Sequence, residues 1–381
     1  MSKPIYLDYA AATPMDPAVA GAMLPFFTEQ FYNPSATYLP AKAVHAQLEQ
    51  ARGRVAHWLG ARPSEVVFTA GGTEANNLAI RGVMQQFREG NVVVSAIEHE
   101  SVLAAAHAYT CREAAVSPQG LVDVPHLISL VDDHTVLVSV MYANNEVGTI
   151  QPLHSISQEL AKIRRARLEA GNDTPLYFHT DAAQAAAYLD LHTARLGVDL
   201  LTLNAGKIYG PKQVGCLFVG SSVQLAPQIL GGGQERGYRS GTENVAGAVG
   251  FATALDLVQT RRHDEARRLQ QLQQLFFDLL AQQIPSATIN GSRKHRLPNN
   301  LHITLPGTDN ERVLLQLEQA GILAAAGSAC SASNEEPSHV LQAMGLSVAD
   351  AQSSLRFTMG LHTLGADVRQ TVQQLEQIHN A

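Results

Sequence analysis

The chain reads as short apolar runs alternating with longer segments in which apolar residues recur every three or four positions. The runs at 65–69, 91–96, 136–141, 177–179, 198–203 and 215–219 have strand length and are rich in Val, Leu and Phe. Such runs, bounded by turn residues, predict strands buried on both faces. Helical spacing falls between them. Val44, Leu48, Val55 and Leu59 mark a helix over about 42–59, and 101–108 and 154–168 follow suit. A further helix should begin at Asp16-Pro17, where Asp can cap and Pro suits the first turn. Strands alternating with helices predict an α/β fold, a mostly parallel sheet with helices on both faces.

After a helix-rich stretch over 244–283 the pattern resets to a smaller α+β unit. Its strands are expected at 300–305, 322–326 and 354–359, and its helices at 311–320, 338–344 and 368–378. The charged centre of the long stretch, Arg261-Arg262-His263-Asp264-Glu265, reads as a solvated face. No repeat or low-complexity linker separates the units, so they should pack tightly.

Composition narrows the class. With 381 residues, 45% apolar and 16% charged, the chain can bury a sizeable core. A net charge of −7 argues against nucleic acid as partner. No apolar run is long enough to span a bilayer, and the first residues lack the apolar stretch of a signal peptide. Cys111, Cys216 and Cys330 lie far apart, without C-x-x-C spacing. Neither a disulfide framework nor a metal site is expected, and a reducing cytoplasm fits.

Candidate chemistry gathers where the predicted strands end. Ligands of parallel sheets bind outside the carboxyl ends of the strands, and Gly72, Thr73, His99, Asn145, Asp181 and Lys207 all fall there. Lys207, in Asn204-Ala205-Gly206-Lys207-Ile208-Tyr209-Gly210-Pro211-Lys212, follows a strand and precedes a turn. Desolvation among small residues lowers a lysine pKa and suits it to Schiff-base chemistry; the plainer reading is a surface lysine in a turn. A buried carboxylate such as Asp181 keeps a pyridine nitrogen protonated, or simply caps a helix. Gly71-Gly72-Thr73 opens a helix and offers N–H groups to a phosphate, as any glycine turn does more weakly. Cys330 has small polar neighbours and reads as an accessible thiolate on a loop, whereas Cys216 reads as buried and structural. Arg356 suits a bidentate carboxylate clamp, or is a partly solvated strand arginine.

Taken in order, Leu7-Asp8-Tyr9-Ala10-Ala11, Asn33-Pro34, Gly72-Thr73-Glu74, Glu98-His99, Asn144-Asn145-Glu146-Val147-Gly148, His179-Thr180-Asp181-Ala182-Ala183-Gln184, Lys207 to Lys212, Arg239-Ser240-Gly241-Thr242, Gly327-Ser328-Ala329-Cys330 and Arg356-Phe357 resemble the cysteine desulfurases of the NifS/IscS type. These are class V, fold-type I enzymes that use pyridoxal 5′-phosphate. The resemblance spans nearly the whole chain. It implies a seven-stranded, mostly parallel large domain over 14–255, and a small domain from 1–13 and 256–381 that carries the Cys330 loop.

The resemblance also implies roles. Lys207 would carry the cofactor and Asp181 would pair with its ring nitrogen. Gln184 and Asn145 would contact the ring hydroxyl, and His99 would stack on the ring and move protons. Gly72 and Thr73 would hold the phosphate, and Thr242 would reach the phosphate of the other subunit of a homodimer. Asn33 and Arg356, with Asn145, would bind the substrate, L-cysteine, and Cys330 would be the nucleophile. The resulting persulfide would pass to an acceptor protein, for iron–sulfur clusters or for thio-modification of tRNA or cofactors. The chain departs from the family at two places, where a histidine and a serine usually help hold the phosphate. Gly206 there offers only its backbone N–H, and Asn204 stands in for the hydroxyl donor. A selenocysteine lyase, a class V aminotransferase and a PLP-fold scaffold protein with weak catalysis are the alternatives. Transamination needs no thiol at Cys330.

Overall fold

The computed structural model describes residues 4–327 and 337–380. Cys330, with the loop expected to carry it, lies outside the described residues. The chain opens with β1 (Ile5–Tyr6). Next come β2 (Val66–Thr69), β3 (Asn91–Ser95), β4 (Cys111–Ala114), β5 (Thr135–Ser139), β6 (Tyr177–Asp181), β7 (Leu200–Asn204) and β8 (Gly215–Val219). These seven form one sheet in the order β2-β8-β7-β6-β5-β3-β4. All its neighbours pair in parallel except those of β8, which runs against both β2 and β7. The mostly parallel α/β sheet expected from the alternation is therefore present.

The central strands are apolar because both faces are covered. Val92, Val93 and Val94 are fully buried, as are Leu137 and Val138. The helices Gly72–Gln86 and Glu100–Ala106 cover one side, and Leu39–Leu59 and Leu153–Glu169 the other. The edge strand β4 is absent from the sequence reading because Arg112 and Glu113 break its apolar pattern. Helix Leu39–Leu59 begins three residues before the predicted start, with Pro40 in its first turn, and ends at the left-handed Gly60 (φ 62°). Asp16 caps the helix Pro17–Met23 as expected, its Oδ1 accepting from the Ala18 N–H at 2.9 Å.

The smaller unit contains β9 (Thr288–Ile289), β10 (Asn300–Thr304), β11 (Ile322–Leu323) and β12 (Ser354–Thr358). β12, β10 and β9 form an antiparallel sheet, and β11 pairs with β1. The period of two sorts β10 and β12 into faces. Leu301, Ile303, Leu355 and Phe357 enter the small core. Asn300, His302, Thr304, Ser354, Arg356 and Thr358 occupy the opposite face, which is also buried but polar.

One helix, Val245–Gln283, serves both units. Its 39 residues span about 58 Å at 1.5 Å per residue. Val245 to Val258 pack into the large core, and Leu269, Phe276, Phe277 and Leu280 into the small one. The charged centre is not simply a solvated face. Arg262 Nη1 donates to the Leu189 carbonyl at 3.2 Å, and Arg268 reaches the carbonyls of Thr363 (2.7 Å) and Gly360 (2.8 Å). The helix needs polar residues where it leaves one core for the next, and their lengths tie it to backbone on either side.

Two buried histidines make stability depend on pH. Burial pushes His179 down to about 4 from an ordinary 6.5. Burial, together with the charges of Arg296 and Arg356, pushes His302 down to about 3. Both are neutral in the folded chain, while the unfolded chain protonates them below 6.5. Their contribution to stability is full above that pH and is lost as pH falls toward the folded values, at about 1.4 kcal/mol per pH unit for each. Between pH 6.5 and 4.5 the urea midpoint of His302→Gln should lose less than that of wild type, while the raised Glu98 carboxyl acts in the opposite sense in both. An equal slope in wild type and variant would show that His302 is protonated in the folded chain.

Candidate active site

The strand ends determine the site. β6 ends on Asp181 and β7 on Asn204, followed directly by the turn Ala205–Lys207. β2 runs into Gly71, whose φ of 136° suits glycine alone, and then into helix Gly72–Gln86. The turn approaches β8 so closely that a Cβ on Gly215 would lie 2.7 Å from the Gly71 carbonyl carbon. β3 leads through Glu98 to His99, the N-cap of helix Glu100–Ala106.

A cavity of about 260 Å³ brings together Gly72, Thr73, His99, Asn145, Asp181, Gln184, Asn204, Lys207 and Arg356. A second, of about 480 Å³, adjoins it and is lined by Gly71, Gly72, Thr73, Asn204, Gly206, Lys207, Lys212 and Gln213. Gly206 therefore faces the second space only. Asn33 and Thr242 line neither. Asn33 is exposed, its Oδ1 accepting from the Ser35 N–H at 2.9 Å, and Thr242 is exposed beyond Ser240. Arg239 holds that loop beside the glycine turn, its Nε donating to Glu74 Oε1 at 2.9 Å.

Lys207 is half-buried. Its Nζ donates to the Ala10 and Ala11 carbonyls at 2.7 and 2.8 Å. Gln184 Nε2 donates to the same Ala10 carbonyl at 3.0 Å. Asp181 is buried. Its Oδ1 accepts from the Ala183 N–H (2.9 Å) and its Oδ2 from Asn76 Nδ2 (2.7 Å). Arg356 is only 2% exposed, so the partly solvated reading fails. Its Nη1 holds the Asn145 carbonyl at 3.0 Å and its Nη2 holds Asp8 Oδ1 at 2.8 Å. The register places His302 directly across from it. Glu98 is fully buried, and burial raises its carboxyl well above the usual range.

The donor expected from Gly206 is already engaged. Its N–H donates to Asn204 Oδ1 at 3.1 Å, because Asn204 caps the short turn that follows. Asn204 turns its Nδ2 toward Gly72, where an added Cβ would lie 3.5 Å away. Lys212, whose ammonium also donates to the Thr13 carbonyl, supplies a positive charge to the same space. Lys212, Asn76 and Ser101 are not marked as site residues by the sequence pattern. Lys212 lies within the quoted motif, but the two others sit in helical patterns and look like ordinary polar helix positions.

Residues 5–371 match the model of the aminotransferase class-V family. The chain belongs to that family. It is similar to the cysteine desulfurase IscS of Dictyoglomus turgidum, with 39% identity covering 99% of this chain and 95% of the relative. Among solved structures it is similar to a NifS-like protein at a TM-score of 0.90, with 30% identity and 99% of both chains covered. It is also similar to SspA in complex with cysteine, at 0.80 and 32%, covering 94% of this chain and all of the other.

The family uses pyridoxal 5′-phosphate, and the donor set here fits it. An amine, a buried carboxylate and an anion cup built from a helix N-terminus, a hydroxyl, an amide and an ammonium stand in adjoining spaces. Lys207→Ala should yield no covalent adduct with the cofactor after borohydride reduction, read by mass spectrometry. An adduct that persisted would place the Schiff base on another lysine.

Proposed function

We propose that the chain is a pyridoxal-phosphate-dependent cysteine desulfurase, which takes sulfur from L-cysteine and leaves L-alanine. The observation that carries this reading is the convergence of Lys207, Asp181, His99 and Arg356 on one cavity. Its support is the full-length similarity to a cysteine desulfurase and to a structure holding cysteine.

When bound, the cofactor supplies an electron sink that stabilises negative charge at the substrate α-carbon. The chain does the rest. Lys207 would carry the cofactor, and its Nζ would move the α-proton. Asp181 would hold the ring nitrogen, and Gln184 and Asn145 would serve the ring hydroxyl. His99 would serve the ring and move protons. The glycine turn, Thr73 and Asn204 would hold the phosphate, with Gly206 shaping the cup. Arg356 and Asn33 take the substrate carboxylate. The Cys330 thiolate attacks the substrate sulfur, and the carbon–sulfur bond breaks with its electron pair going to carbon. The products are a persulfide on Cys330 and, after protonation, alanine. The persulfide leaves by exchange with a thiol of an acceptor protein, serving iron–sulfur or thio-modification chemistry.

The active form in this reading is a homodimer. Leu24, Phe27, Phe31, Tyr38 and Leu39 are exposed close together in sequence, and Leu230 is 80% exposed. Apolar side chains so concentrated suit a protein partner. A second copy would also bring Thr242 to the phosphate cup, which its own chain does not do. No described helix is long and apolar enough to cross a membrane, and the persulfide chemistry suits a reducing cytoplasm.

The test is to record the visible spectrum of the purified protein, add L-cysteine with a reductant, and measure sulfide and alanine together. Equal amounts from a yellow protein are expected. Cys330→Ser should keep the colour and the spectral response to cysteine but lose sulfide release. Unchanged sulfide output would remove Cys330 from the mechanism, and a yellow wild type yielding neither product would remove the desulfurase reading.

A further inference from the structure

We infer that Asn76 and Ser101 are positioning residues that fix the tautomer of His99, leaving the proton on Nε2. The inference rests on the roles proposed for Asp181 and His99, and its test does not require turnover. Asn76 lies one turn into helix Gly72–Gln86 and is 1% exposed. Its Nδ2 carries two N–H groups. One meets Asp181 Oδ2 at 2.7 Å and the other meets Ser101 Oγ at 2.8 Å. A flipped amide would aim its oxygen at a carboxylate oxygen, acceptor against acceptor. Asp181 thereby settles which way Asn76 points. The orientation leaves Asn76 Oδ1 buried with no partner among the described residues, a cost of the kind found where another demand prevails.

Direction then passes along the chain of groups. Ser101 Oγ accepts from Asn76 and has one hydrogen of its own to give. Its other close partner is His99 Nδ1 at 2.8 Å. The Ser101 backbone N–H points at the same atom from 3.1 Å. Two donors converge on Nδ1, so Nδ1 holds the lone pair. A proton there would face an N–H and would leave the Ser101 hydroxyl hydrogen aimed at nothing. In the neutral ring the proton is therefore on Nε2, and His99 meets substrate as a donor at that atom.

Helix capping explains part of this geometry, since a side-chain acceptor at an N-cap often takes the N–H two residues on. Capping does not require Asn76, nor a link to Asp181. The link joins Asp181, which would serve the cofactor ring nitrogen, to His99, which would serve its ring. It also locks the Asp181 carboxylate plane, with Ala183 on one oxygen and Asn76 on the other.

The test is nitrogen-15 NMR of the histidine-labelled holoenzyme, with His99 assigned by the signal lost in His99→Gln. Wild type should show Nδ1 as a bare pyridine-type nitrogen and Nε2 as the protonated one. Ser101→Ala and Asn76→Ala should mix the tautomers, while Ser101→Thr, which keeps the hydroxyl, should restore the wild-type pattern. In turnover, Ser101→Ala and Asn76→Ala should lower kcat at least about tenfold with KM for cysteine unchanged, within the range a positioned proton donor supplies. A wild-type His99 protonated on Nδ1 would overturn the inference whether or not the protein releases sulfide. So would an Asn76→Ala variant with both tautomer and kcat unchanged. Absence of sulfide and alanine from wild type, with the tautomer as expected, would instead overturn the desulfurase reading alone.

Discussion

The segment 7–13 is the constraint on which the site depends. It is almost without regular structure, yet its backbone is satisfied from both sides. The Thr358 N–H donates to the Leu7 carbonyl at 2.7 Å, and Thr358 Oγ1 accepts from the Ala10 N–H at 2.9 Å. On the other side the Ala10 and Ala11 carbonyls receive Lys207. Asp8 holds Arg356 across the same gap. Because buried carbonyls must find donors, a strand of the small sheet and the lysine of the large one are held in a single arrangement. The placement of Arg356 relative to Lys207 follows from this segment.

The polar face of the small sheet carries the arrangement further. Asn290, Thr304 and Ser354 are mutually hydrogen-bonded beneath His302 and Arg356. The Arg356 guanidinium on the same face is oriented by the Asn145 carbonyl and Asp8. The network ties Asn290, His302, Thr304 and Ser354 together, while His302 Nε2 and Arg356 Nε stay buried without a partner among the described residues. The same logic governs Asp181, Asn76, Ser101 and His99, where one carboxylate orders three neighbours. Small residues around them (Ala143, Ala183, Gly72) leave the space into which these groups point.

The two units are kept in register by the helix Val245–Gln283. It is one rigid element with two apolar stretches and a charged centre, and its arginines grasp carbonyls of Leu189, Gly360 and Thr363. Stability therefore does not reside in either core alone. The antiparallel β8 has a comparable role, since it brings Gly215 against Gly71 and so fixes the turn that opens the anion cup.

The sequence by itself determined the central strands, the helices with strong spacing, and the residues at strand ends. Burial on both faces writes a continuous apolar run, and its short length and flanking turn residues separate it from a buried helix. Lys207, Asp181, Gly72 and Arg356 were legible because they interrupt or end such runs, and because their order resembles a family. The direction of β8 was not legible, because periodicity carries no sign along the chain. The edge strand β4 was hidden because one exposed edge relaxes its pattern. The engagement of the Gly206 N–H by Asn204, the contribution of Lys212, and the pairing of Asn76 with Asp181 were decided only by tertiary structure. A hydrogen bond depends on where two groups meet in space, and here residues 105 apart in the chain meet at 2.7 Å.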